Sequence, residues 1–178
     1  MLERIQAWDN RILTSLSQKH TPVLDRVMVA VTMTGNNGYI WFALALPLII
    51  FQRHRMTGVT MILAMLITGL AGEITIKHIV ARVRPCNREF GKDLLIKHPA
   101  HYSFPSGHTA SSFAVSMVML LTFPVIFFPV ILYACLMAFS RIYLLVHYPT
   151  DVIAGVVLGV VCGTAAVSVS PYIPFINF

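Results

Sequence analysis

The chain has 178 residues, 57% hydrophobic and only 11% charged, with a mean hydropathy of +0.75, a formal net charge of +6 and a pI near 9.6. A soluble domain carries roughly 25% charged residues, so the composition excludes an ordinary water-soluble fold and makes lipid the solvent. Lipid cannot satisfy free backbone N–H and C=O groups, which leaves helices or a closed barrel; the apolar runs are long and unalternating, which selects an all-α, polytopic membrane helical bundle.

Residues 1–20 place Leu2, Ile5, Trp8, Ile12, Leu13 and Leu16 at helical spacing, with Glu3, Arg4, Asp9, Asn10, Arg11 and Gln18 opposite. That pattern predicts an amphipathic helix lying in the membrane interface, with Trp8 near the headgroups. The opening MLERIQAWDN lacks the apolar core and small-residue cleavage site of a secretory signal. Residues 21–34 are apolar but short and carry Asp25 and Arg26; they read as a half-buried helix or a sixth span, ending at GNNG. About five membrane helices are then expected, over residues 39–51, 57–81, 109–121, 125–146 and 152–169. The whole chain, 1–178, is expected to be one integral-membrane domain.

Counting crossings brings the turns at 52–55 and 122–124 to one face, and the segments 82–108 and 147–151 to the other. Arg53 and Arg55 mark the first face as cytoplasmic by the positive-inside rule. Arg82, Arg84, Arg88, Lys92 and Lys97 lie on the second face and weaken that signal; if they bind a ligand, they do not report topology. Cys86, Cys135 and Cys162 show no metal spacing and are read as structural. No aromatic-basic module for nucleic acid is visible. Gly155, Gly159 and Gly163 form a small-residue stripe suited to close helix packing within the bundle.

Three polar clusters interrupt the apolar pattern on the second face. In KHIVARVRP, Lys77 and Arg84 are seven residues apart and share a helix face, and Pro85 ends the helix so that Arg84 enters the loop. Lys77 has two structural readings, snorkelling to the headgroups or pairing with Glu73 one turn earlier. In FPSGHT, Ser106, Gly107 and His108 fall at the amino end of the next helix, where free N–H groups and the macrodipole favour an anion. An ordinary cap with a surface histidine is the plainer reading. In SRIYLLVHYPTD, Arg141 closes a long apolar helix, and Asp151 lies four residues after His147, placed to accept its ring N–H. A structural His–Asp pair at an interfacial turn is the alternative. Together, three cations, helix-end donors and two histidines at one end of a lipid-embedded bundle point to an oxyanion such as phosphate.

The spacings Lys77-x6-Arg84-Pro85, Pro105-Ser106-Gly107-His108 and Ser140-Arg141-x5-His147-x3-Asp151 resemble the three signature motifs of the type 2 phosphatidic acid phosphatase superfamily, in the same order and without a gap, over residues 77–151. The short chain and brief 82–104 loop are similar to its small bacterial members. The resemblance implies a phosphatase that needs neither metal nor cofactor. His147 would attack phosphorus and form a phosphohistidine, Asp151 would hold its imidazole, and His108 would protonate the departing oxygen and then activate water. Lys77, Arg84, Ser106, Gly107 and Arg141 would hold the phosphoryl oxygens. It further implies a membrane lipid phosphate as substrate, undecaprenyl diphosphate first, with phosphatidate, phosphatidylglycerophosphate and lipid A as alternatives. The site is expected on the extracytoplasmic side of the cell membrane. A vanadate-dependent haloperoxidase shares this kind of pocket but is soluble, which the hydropathy opposes. A non-catalytic lipid-binding protein would not need His108 together with the His147–Asp151 pair.

Overall fold

The computed structural model describes residues 2–88, 90, 94–100 and 102–172, and the side chain of Leu2 is not among its described parts. Lys92, grouped above with the cluster-side cations, and the Leu2 side chain of the amphipathic face therefore lie outside the described residues. The described chain is all-helical. Helix α1 is Leu2–Ser17, α2 Pro22–Thr34 and α3 Tyr39–Ile50. Helix α4 begins as Arg55–Thr68, widens into a π-helical segment at Gly69–Ile76 and closes with Lys77–Val80. Helices α5 (Gly107–Thr122), α6 (Phe127–Tyr143) and α7 (Pro149–Val169) complete the bundle.

Among the described residues, three helical stretches are long and apolar enough to cross a membrane: Gln52–Asn87, Pro124–Tyr143 and Pro149–Tyr172. The apolar helix Asn36–Ile50 is shorter, and α5 supplies the bundle's most enclosed helix, with Ala110, Ala114, Val115, Val118 and Met119 fully buried. Only about a third of each long span is buried inside the protein. Val125, Phe128, Leu132, Ile153, Val157 and Val161 face outward, an apolar girdle that a soluble monomer does not tolerate and that lipid accepts. The protein is integral to a membrane.

Local chemistry accounts for the helix ends. Thr21 caps α2 by accepting the Leu24 N–H at 3.3 Å, with Pro22 in the first turn, where its missing N–H costs nothing. Asn37 (φ 50) and Gly38 (φ 73) then take left-handed conformations and turn the chain into α3. Inside α5, where water is absent, Ser112 and Ser116 donate to the carbonyls of His108 and Ser112 at 2.7 and 2.9 Å, so buried hydroxyls are satisfied within the helix.

Helix α1 is amphipathic, but its inward face is not purely apolar. Leu13 and Asp9 are both fully buried, while Ile5 and Trp8 are exposed, as an interfacial helix requires. Asp9, read from sequence as part of the polar outer face, instead points into the protein.

The glycine stripe of α7 lies directly on α5. A Cβ at Gly159 would stand 2.4 Å from the Ala110 carbonyl oxygen, and one at Gly163 2.5 Å from that of Ala114. At Gly155 it would meet the Ser106 carbonyl oxygen at 2.8 Å. The stripe thus brings two backbones together and sets the start of α5 beside the start of α7. At the opposite end of α5, His54 of the α3–α4 turn stacks on Phe123 at 4.3 Å, joining the 52–55 and 122–124 turns. Because backbone cannot step aside, Gly159→Ala is expected to cost about 1–3 kcal/mol and to lower the thermal unfolding midpoint in detergent. Gly69→Ala, whose Cβ meets nothing within 4 Å, should leave the midpoint unchanged or raise it; equal midpoints for the two variants would contradict the packing described.

Candidate active site

At the end of the bundle away from the His54–Phe123 contact, a cavity of about 1010 Å³ opens between α2, α4, α5 and the 95–100 loop. Its polar floor is formed by Glu73, Lys77, Arg84, Gly107, His108 and Arg141, and one flank is apolar, with Val29, Met33, Phe42, Ile62, Met65 and Leu66. Lys77, Arg84 and Arg141 are each only 4% exposed. Two stretches far apart in sequence, 77–84 and the end of α6, therefore deliver three cations to one small volume.

Each cation arrives by a different local device. Lys77 opens the last turn of α4 and does not snorkel: its Nζ donates to both oxygens of Glu73, at 2.6 and 2.7 Å. Ala81 (φ 47) breaks the helix in a left-handed conformation, and Arg84 is extended (ψ 151) ahead of Pro85, as the residue before proline prefers. Arg141, in the last turn of α6, donates from Nη1 to the Thr32 hydroxyl, and its buried Nε has no hydrogen-bond partner among the described residues.

His147 sits in the α6–α7 turn, 2% exposed. Leu145 (φ 57) reverses the chain, and the N–H groups of Val146 and His147 both donate to the Arg141 carbonyl, at 3.3 and 3.2 Å. Arg84 Nη1 donates to the Val146 carbonyl and to His147 Nε2, both at 3.0 Å. Arginine only donates, so Nε2 is the accepting nitrogen and a neutral ring carries its proton on Nδ1. Burial, then the positive charges of Arg141, Arg84 and Lys77, hold the His147 pKa well below the ordinary imidazole value. A Ser103 backbone group acts weakly in the opposite sense.

Asp151 occupies the third position of α7. Its Oδ2 accepts the Tyr148 N–H at 2.9 Å, and its Oδ1 accepts from Arg82 at 2.7 Å. His147 Nδ1 is 3.6 Å from Oδ2, beyond hydrogen-bond distance, and makes no close hydrogen bond among the described residues. The direct bond expected from the four-residue spacing is therefore open by a few tenths of an ångström. The carboxylate serves first as the cap of α7 and as the partner of Arg82.

The FPSGHT segment divides its residues between wall and interior. Gly107 and His108 line the cavity. Ser106 is fully buried; it accepts from the Thr109 hydroxyl at 2.9 Å and donates its N–H to the Asp151 carbonyl at 3.0 Å. Its hydroxyl is engaged beneath the cavity wall instead of capping α5. A Cβ on Gly107 would stand 2.2 Å from Glu73 Oε1, so in this structure a carboxylate already rests against the start of α5, beside Lys77. His108 Nε2 lies 3.2 Å from Asn36 Oδ1, and Gly35 lets the histidine approach: a Cβ there would be 2.7 Å from His108 Cδ2. Four neighbours of these groups, Thr32, Asn36, Arg82 and Asp9, carry no signal by which sequence spacing alone would have found them. Arg82 was visible only as one more cation.

Residues 56–174 match the PAP2 superfamily. Among curated proteins, an undecaprenyl-diphosphatase of Sulfolobus acidocaldarius is 36% identical over 137 residues, 76% of this chain and 66% of that protein. The undecaprenyl-diphosphatase BcrC of Bacillus subtilis is 34% identical over 147 residues, 81% of this chain and 74% of that protein. Among solved structures, Aquifex aeolicus LpxE superposes with a TM-score of 0.76 at 30% identity, covering 89% of this chain and 93% of that one. A transmembrane PAP2-type phosphatidylglycerolphosphate phosphatase from Bacillus subtilis gives 0.73 at 25% identity, covering 96% and 88%.

The electrostatics yield a direct test. A free imidazole titrates near ~6.5, whereas that of His147 should remain neutral, with its proton on Nδ1, as pH falls through that value. Nitrogen NMR of the ligand-free protein at about pH 6 should show the neutral Nδ1–H form. Because the unfolded ring takes up a proton that the folded ring refuses, His147 also makes the native state lose stability as pH falls below the unfolded value. A fully protonated ring at that pH would mean that neither burial nor the three cations hold its pKa down.

Proposed function

We propose, from the premise that this chain belongs to the PAP2 superfamily, that it is a phosphatase of membrane lipid phosphates working through a phosphohistidine, with undecaprenyl diphosphate as the favoured substrate. The observation that carries the reading is Arg84 donating to Nε2 of a buried, neutral His147 at 3.0 Å, at the cationic end of the cavity. That arrangement holds a lone pair ready and marks the place where phosphoryl oxygens would take over the arginine's N–H groups.

The chemistry follows from these groups. Phosphoryl transfer needs positioning and stabilisation of charge on the equatorial oxygens. Arg84, Arg141, Lys77 and the free N–H groups at the start of α5 provide both. As an incoming oxygen takes the Arg84 N–H, His147 Nε2 is released to bond phosphorus while the bond to the leaving oxygen breaks. His108, charged once the bound phosphate offsets the cations beside it, gives that oxygen its proton. The imidazolium formed at His147 carries its Nδ1–H toward Asp151 Oδ2, and closing the 3.6 Å gap stabilises it. His108, now neutral, takes a proton from water, whose oxygen attacks phosphorus and frees His147. Ser106 Oγ accepts from the Thr109 hydroxyl and keeps its own O–H to donate, so Ser106 and the Gly107 N–H would hold phosphoryl oxygens beside the three cations.

The cavity's combination of cationic floor and apolar flank suits a lipid whose charged head reaches the interface. Two relatives named as undecaprenyl-diphosphatases favour the polyprenyl carrier. The structural neighbour named for phosphatidylglycerolphosphate keeps a glycerolipid phosphate as the second reading. The cavity lies opposite the turn carrying Arg53 and Arg55, which supports an extracytoplasmic site under the positive-inside rule.

The deciding experiment is phosphate release by the purified protein across undecaprenyl diphosphate, phosphatidate, phosphatidylglycerophosphate and lipid A. Undecaprenyl diphosphate is expected to give the highest kcat/KM; a higher value for phosphatidylglycerophosphate would select the second reading. His147→Ala should abolish turnover while the protein stays folded, and retained activity would remove the nucleophile. Vanadate should inhibit and chelators should not, since fixed cations supply the charge; strict dependence on Mg²⁺ would contradict the mechanism.

A further inference from the structure

Behind Asp151, on the side away from His147, lies a second charge cluster that the mechanism above leaves unused. Arg82 is at its centre, 18% exposed. Its Nη1 donates to Asp151 Oδ1 and the Thr150 hydroxyl, both at 2.7 Å. Its Nη2 donates to Asp9 Oδ2 at 2.7 Å and Gln6 Oε1 at 2.9 Å. The guanidinium carbon stands 3.9 Å over the Tyr148 ring. Asp9, fully buried, accepts also from the Thr150 N–H at 3.0 Å and from the Thr150 hydroxyl at 2.5 Å. Both terminal nitrogens of Arg82 are matched to acceptors, and α1 is tied to the first turn of α7 across more than a hundred residues of sequence.

The charges are arranged with a purpose that docking alone does not need. Among the described residues, Arg82 is the one Arg or Lys paired with the two fully buried carboxylates Asp9 and Asp151. The trio therefore sums to one residual negative charge. Paired with Asp151 only, Arg82 would cancel the carboxylate that faces His147. Shared with Asp9, it fixes the orientation of Asp151 through Oδ1 and leaves the carboxylate anionic toward the imidazole.

We propose that Asp9 and Arg82 are positioning residues for Asp151, which makes the amino-terminal helix a working part of the catalytic site. The inference rests on the reading of His147 as nucleophile and Asp151 as its orienting group. It explains why an otherwise interfacial helix buries a carboxylate: an isolated charge would be costly there, but one that shares an arginine with Asp151 tunes the site.

The test uses the full-length protein in detergent with its best lipid phosphate. Asp9→Asn keeps size and shape and leaves Arg82 in place, and Arg82→Lys keeps the charge but not the fork. Both are expected to lower kcat by about ten- to a hundredfold, the usual range for groups that orient an active-site ligand, with KM changed less than about threefold. Their thermal midpoints should stay near that of the unmodified protein. In an Asp151→Asn background, followed by single-turnover measurements, either change should reduce the rate by less than about threefold, because residues acting through one group are non-additive. A kcat within twofold of the unmodified enzyme, or the same fold-loss in both backgrounds, would overturn the proposal. Should Arg82→Lys unfold, Asp9→Asn decides the matter alone. The two readings fail separately: activity in His147→Ala sinks the mechanism, whereas an inactive His147→Ala beside a fully active Asp9→Asn sinks only the role of the helix.

Discussion

Placing Lys77, Arg84 and Arg141 within a few residues of buried helix ends, in a bundle whose outer surface faces hydrocarbon, is the constraint on which the rest of the structure depends. Charges withdrawn from water are costly unless they are paired or hydrogen-bonded, and here they are held close together, so that each also repels the others. The protein meets this with partial measures. Lys77 takes Glu73, Arg141 takes the Thr32 hydroxyl, and Arg84 takes a carbonyl and the ring nitrogen of His147. The carboxylate of Glu73, lodged between Lys77 and Gly107, occupies a position that an anionic ligand would contest. On the function proposed, a phosphoryl group would supply what the protein's own groups leave incomplete.

Arg82 and Arg84 illustrate how differently two arginines two residues apart are handled. Arg82 is clamped by a pair of carboxylates and an aromatic face. Arg84 points into the cavity and holds a weak acceptor, the imidazole nitrogen. In the proposed mechanism the first sets geometry, and the second exchanges its bond to the imidazole for one to an incoming anion. The helix break at Ala81 frees both from the regular geometry of α4, so that neighbours in sequence serve opposite sides of Asp151.

Packing carries the site's precision. The Gly155–Gly159–Gly163 stripe removes the side chains that would hold α5 and α7 apart. As a result the Ser106 N–H reaches the Asp151 carbonyl, and the start of one helix is registered on the start of the other. The His108 ring is seated by a third element, the α2–α3 turn, where Gly35 allows its approach and Asn36 meets Nε2. Substitutions at these glycines would act on the cavity without altering a single group in its floor.

What sequence determined by itself is the part governed by short-range or solvent physics. Long apolar runs must be helical in lipid, so α3 to α7 were legible to within a few residues, as were the polar ends at 77–84, 106–108 and 141–151 and the glycine stripe. Tertiary structure alone decided the rest. An amphipathic pattern cannot distinguish a polar residue facing water from one facing a partner, and so Asp9 read as outer surface until Arg82, 73 residues away, was seen to hold it. Spacing placed Asp151 one turn after His147, yet the carboxylate's two oxygens are taken first by the helix cap and by Arg82. Such competition for a single group depends on distances between segments remote in the chain, and no local periodicity encodes it.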